Sequence, residues 1–160
     1  KIALLLMLSL VGCHTMITNN TVKNRYASYG VEPLPQGWQK KRFKNAELLY
    51  IYENTDAVIY LSSKCENVSD SPLQALTAQL LSGMGQYELI SQNSLKVDDR
   101  EALVSEVLVK LDGIKRYNKI MVFRKNRCVF DAVFTASAAS KFLVKDFDAM
   151  IKTFWAKADL

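Results

Sequence analysis

After Lys1 the chain runs almost wholly apolar from Ile2 to Gly12. A run of about ten apolar residues is short of the roughly 20 that cross a bilayer, and it has the length of the apolar part of a secretion signal. Residues 14–36 then turn rich in Asn, Thr, Ser and Pro, without sustained periodicity. That pattern predicts a flexible tether ending in Pro33-Leu34-Pro35-Gln36-Gly37, with Trp38 opening the fold. Residues 47–53 and 57–63, rich in Tyr, Ile, Leu and Val and split by Glu53-Asn54-Thr55-Asp56, predict a β-hairpin. Residues 38–44 can add a strand before it.

Ser71-Pro72-Leu73-Gln74 has the order of a helix start, with Ser71 as cap, Pro72 in the first turn and Gln74 reaching back. Leu73, Leu76, Leu80, Leu81 and Met84 follow at helical spacing, and Gly83 and Gly85 stop the run. Four strands come next, at 87–96, 101–111, 115–125 and 128–136, with Asp112-Gly113 and Lys125-Asn126-Arg127 as turns. A last helix is predicted near 138–157, with Leu143, Phe147, Met150, Ile151 and Phe154 as its apolar stripe. That stripe reads as a core face and not as a ligand groove. Hairpin-length links make the sheet antiparallel, and two helices need a face to cover. The expected fold is therefore α+β, an antiparallel sheet of about six strands with two main helices in an α/β/α sandwich.

The apolar run ends in Leu10-Val11-Gly12-Cys13, which resembles the lipobox of bacterial lipoprotein signals. That resemblance implies cleavage before Cys13 and lipidation of its thiol, with acyl chains such as palmitate holding the chain at a membrane. Several acyl chains give near-permanent anchoring where one gives only marginal binding. His14 follows the Cys, and the family's inner-membrane retention signal has an Asp there, so the resemblance implies the outer membrane, facing the periplasm. The domain reading is a signal over 1–12, a lipidated start and tether over 13–36, and a single domain over 37–160.

The element order from residue 37 to 157 is also similar to the PsbP-like fold. Pro35-x-Gly37-Trp38, the capped helix at 71–86 and the closing Phe154-Trp155 carry that similarity. It implies a non-enzymatic binding or assembly role and carries over no functional residues.

Removing residues 1–12 from the 160-residue chain leaves enough for one core. The net charge of +5 is mild. It suits anionic headgroups or an acidic partner and argues against nucleic acid, as does an export signal. Two basic groups stand out: Lys40, Lys41, Arg42 and Lys44 at the start of the fold, and Lys115, Arg116, Lys119, Arg124, Lys125 and Arg127 on one hairpin. Each is either a solvated strand face or a contact for anionic lipid or protein.

Cys65 and Cys128 stand 63 positions apart, too far for a Cys-x-x-Cys redox pair. In an oxidising compartment they predict one disulfide, with two buried thiols as the alternative. The single His14 leaves a Ser or Cys nucleophile without a base, and no Cys/His cluster suggests a metal, so neither cofactor nor catalysis is expected. Asp98, Asp99 and Glu101 read as a solvated turn. Asp131, amid Val129, Phe130, Ala132 and Val133, either faces the core and needs a partner or, as expected here, lies on the open side of an edge strand. The sum is a membrane-anchored accessory or binding module of an envelope complex. The rival is a carrier of a small ligand or lipid, with a cavity between sheet and helices.

Overall fold

The computed structural model describes residues 15–44, 46–66, 68 and 70–158. The signal segment, Cys13 and His14 lie outside them. The chain builds two antiparallel sheets. The larger has seven strands: β4 (Trp38–Phe43), β5 (Ala46–Tyr52), β6 (Val58–Lys64), β7 (Gln86–Val97), β8 (Arg100–Leu111), β9 (Ile114–Lys125) and β10 (Cys128–Ala136). Their spatial order is β4-β5-β6-β10-β9-β8-β7. The smaller sheet is β1 (Met16–Thr18), β2 (Thr21–Lys23), β3 (Ala27–Gly30) and β11 (Trp155–Ala158), in the order β1-β2-β3-β11. Helix α1 (Leu73–Ser82) lies on one face of the large sheet. Helix α2 (Val144–Lys152), preceded by a 3-10 turn over Ala138–Leu143, lies with the small sheet on the other.

Alternation along the strands writes both faces at once. In β10, Phe130, Ala132, Phe134 and Ala136 join the core under α2 and the small sheet, while Val129 and Val133 face α1. In β9, Tyr117, Met121 and Phe123 take the first side, Ile120 and Val122 the second. The hairpins close on residues that tolerate the left-handed region: Asp98 and Asp99, Asp112 and Gly113, and Asn126 all have positive φ.

The element layout departs from the sequence reading in four places. The expected tether is folded from Met16 to Gly30, with Val22, Ala27 and Tyr29 buried. Its Asn residues are turn chemistry: Asn24 Oδ1 accepts from the backbone N–H of Tyr26 and of Ala27, both at 2.9 Å. The closing helix is shorter than expected. It ends at Lys152, and Trp155–Ala158 turn back as β11 to pair with β3. Gly30 makes that pairing possible, because a Cβ there would stand 2.8 Å from the Asn20 carbonyl and 3.1 Å from the Trp155 ring. The sheet has seven strands rather than about six, beside a second sheet. At α1 the cap position falls to Pro72, and no side chain caps the helix.

Cys65, just after β6, and Cys128, opening β10, are joined in a disulfide, with Cα atoms 4.0 Å apart. Lys64 and Val129 pair beside it, so the bond fastens the seam where the two hairpin groups of the large sheet meet.

Candidate functional site

The two basic groups turn out opposite in kind. On the hairpin, strand pairing sets carboxylates beside the cations. Lys119 Nζ lies 3.2 Å from Glu106 and 2.7 Å from Asp148. Arg116 reaches Asp56 at 3.0 Å, Lys125 reaches Asp98 at 2.6 Å, and Arg124 pairs with Asp70. Burial works against the Lys119 ammonium, but the Asp148 and Glu106 carboxylates outweigh it and hold its pKa up. Burial likewise works against the Asp56 carboxylate. The hydroxyls of Ser140 and Ser137 and the Arg116 charge outweigh it and hold that pKa down. These four cations are structural fastenings, while Lys115 and Arg127 of the same group are exposed and, among the described residues, form no ion pair.

Lys40, Lys41, Arg42 and Lys44 stay exposed on and just beyond β4, an edge strand. Among the described residues none of the four forms an ion pair. Lys40 Nζ donates to the Asn19 carbonyl, tying β4 to the turn between β1 and β2. Partial burial, and then the charge of Arg42, lower the Lys40 pKa. Phe43 is 62% exposed amid these cations.

Asp131 is placed against expectation. Its strand, β10, is the fourth of seven and lies at the centre of the sheet. Whether a strand is central depends on which strands flank it, which its own residues do not encode. The carboxylate is half-buried on the α1 face. It opens into a hollow of about 390 Å3 that Lys64, Val68, Leu76, Leu80 and Val129 also line. Among the described residues no hydrogen bond or ion pair reaches it. Burial pushes its pKa up to about 6, so it is largely ionised at neutral pH in an apolar setting. Asp131 also raises the pKa of nearby Tyr60, pushed up to about 12 mainly by burial.

Two further carboxylates are engaged, one unremarked in the sequence and one read there as a solvated turn. Glu47, on β5, accepts from the Tyr29 hydroxyl and, at 2.8 Å, from the Ser63 hydroxyl, bridging the two sheets. Asp98 is no idle turn residue, since it accepts from Lys125 and, at 3.0 Å, from the backbone N–H of Ala156 in β11. A second hollow of about 280 Å3 lies between α2 and β7–β8, and its Glu106, Lys119 and Asp148 are already bound to one another. Among the described residues no group of three or more His, Cys, Asp or Glu side chains is gathered to hold a metal, and no helix is long and apolar enough to cross a membrane.

No protein-family profile and no curated protein sequence matches the chain. Solved structures do match its fold. LpqN of Mycobacterium tuberculosis, described as involved in cell envelope biogenesis, aligns at a TM-score of 0.58 and 14% identity, over 82% of this chain and 85% of its own. The PsbP protein of the cyanobacterium Synechocystis, CyanoP, aligns at 0.55 and 11% identity, over 97% of this chain and 98% of its own. Protein PA94 of Pseudomonas aeruginosa aligns at 0.52 and 12% identity, over 72% of this chain and 94% of its own. At these identities the likeness is one of fold: the chain has the α+β architecture that the cyanobacterial PsbP and LpqN share.

Proposed function

We propose that the protein is a lipid-anchored lipoprotein of the bacterial envelope, facing the periplasm from the outer membrane, and that its domain is a non-enzymatic accessory or binding module. The observation that carries this reading is the lipobox Leu10-Val11-Gly12-Cys13 set directly before the fold. β1 starts at Met16, three positions after Cys13, so an anchor on Cys13 holds the domain within about 10 Å of the lipid. The unpaired cations of β4 stand next to the β1–β2 turn through Lys40 and Asn19, and they suit anionic headgroups or an acidic surface of an envelope partner. The shared fold with an envelope-biogenesis protein is in keeping with this.

The test is Cys13→Ser. The wild-type chain is expected in the membrane fraction, with an acylated N-terminal peptide by mass spectrometry, and the variant is expected unlipidated with its signal uncut. An unmodified Cys13 in the wild-type protein would refute the anchor. Pull-down of the tethered protein from membranes then identifies the partner.

A second reading, a small-ligand carrier, is favoured by one observation, the hollow over Asp131. It is an open hollow at the flank of α1 and not a closed cavity between the layers, so it suits a small polar ligand better than an acyl chain.

A further inference from the structure

We propose that the hollow between α1 and strands β6 and β10 binds a small zwitterion of the aliphatic amino-acid type, with its ammonium on Asp131, its carboxylate on Lys64 and its side chain against Leu76, Leu80 and Val129. The proposal deepens the carrier reading and does not depend on the lipid anchor.

Three observations converge on it. Asp131 sits on the central strand of the sheet, half-buried and without a partner among the described residues. Almost every other partly buried carboxylate described above is engaged, so an unpaired one at this place calls for an explanation. Burial weakens the charged form, but not enough to keep it protonated at neutral pH. The group therefore presents a poorly solvated negative charge to the hollow, where a cation gains more than it would at an open surface.

Lys64 supplies the second observation. It lines the same hollow, yet no ion pair within 4.0 Å joins it to Asp131. A simple cation bound at Asp131 would be repelled by the Lys64 ammonium. A ligand carrying both charges satisfies the two at once. The third observation is the wall. Val68, Leu76, Leu80 and Val129 are apolar and only partly covered in the free protein, apart from Val129, which is buried. About 390 Å3 lies at the lower end of the range for small-molecule sites and suits a single amino acid better than a lipid.

The test uses the whole purified chain in mild detergent, with methyl NMR of Leu76, Leu80 and Val129 during titration with leucine, N-acetylleucine and n-pentylamine at millimolar concentration. Leucine is expected to shift these methyls saturably. N-acetylleucine, which lacks the ammonium, and Asp131→Asn with leucine are each expected to bind at least ten-fold more weakly. Lys64→Gln should weaken leucine but not n-pentylamine.

The proposal is overturned if no probe gives a saturable shift, if Asp131→Asn leaves leucine binding intact, or if wild-type protein takes n-pentylamine as tightly as leucine. A fluorescent fatty acid separates the two readings. Its binding in the hollow, indifferent to Asp131→Asn, would overturn the amino-acid assignment and leave the carrier reading standing. Asp131→Asn removes a buried charge and adds no bulk, so a failure to fold does not confuse the result.

Discussion

The two faces of the seven-stranded sheet are built from the same strands but covered very differently. One carries α2 and a whole second sheet, and its core is aromatic: Tyr29 stacks edge-on against Phe130, and Phe154 packs on Phe123 and Phe130, with ring centres 5.3–5.7 Å apart. Among the described residues the other carries one helix, α1, ten residues long, with Val68 beside it, over a core of Val, Ile and Leu. Thr77, on the buried side of that helix, has no hydrogen-bond partner for its hydroxyl among the described residues. On the first face the hollow between α2 and β7–β8 holds charges already paired through Lys119. A single short helix cannot span seven strands, so the second keeps an open flank, and the unpaired carboxylate is found there. Stability and binding capacity are thus divided between the faces.

The strongest way to break this comparison is to cut the aromatic face. Phe147, from α2, is fully buried and packs toward Phe134. Phe147→Ala should lower stability by about 3–5 kcal/mol, measured by urea unfolding. A wild-type midpoint in that variant would mean that α2 is a docking surface and not a core element. The disulfide comes next. Cys65 and Cys128 close a long loop on the aromatic side, so replacing both with Ser should lower stability by roughly 4 kcal/mol in the chain-entropy account. Thiol labelling of unreduced, denatured wild-type protein should find neither free.

On the thinner face the effects should be smaller. Leu81 is the one buried leucine of α1, and Leu81→Ala should lower stability by about 2–3 kcal/mol, at the low end for such truncations because the open flank lets α1 settle. A loss as large as that at Phe147 would show that the two faces bear load equally.

The smallest effect is a gain. Burial raises the folded-state pKa of Asp131 to about 6, so the unfolded chain releases that proton first. Stability should fall as pH rises from about 4 to about 6 and then stay at the lower value. Asp131→Asn removes this fall. It should match the wild type near pH 4 and exceed it by on the order of 2 kcal/mol above pH 6, followed by thermal or urea unfolding across pH. Saturation with the proposed ligand should narrow that gap by stabilising the ionised wild type.

The four long strands of the second half were legible because each is long, rich in apolar residues and separated from the next by a short polar turn, Asp98-Asp99, Asp112-Gly113 or Lys125-Asn126-Arg127. The β5–β6 hairpin was legible for the same reason. β1–β3 were not, because three- and four-residue strands contain too few alternations to show a period, and their Asn and Thr residues look the same in a tether as in tight turns. β11 was hidden in a helical stripe: Phe154 continues the spacing of Phe147 and Ile151, and only the pairing of Trp155 with Gly30 reveals the strand. The chemistry was least legible where it depends on strand order. No local pattern says that Lys119 will lie between Glu106 and Asp148, or that the strand of Asp131 lies in the middle of the sheet while that of Lys40 lies at the edge.

The small sheet joins the two ends of the fold. β3 pairs on one side with β11, and the Glu32 backbone N–H donates to the Thr153 hydroxyl across 121 positions of sequence. A chain that emerges from a ribosome in order delivers β1–β3 well before their neighbour β11. Until then the lid of the aromatic core has nothing to close against. Such late, long-range pairing makes folding slow to commit. The same connection that seals the finished domain keeps the unfinished one open.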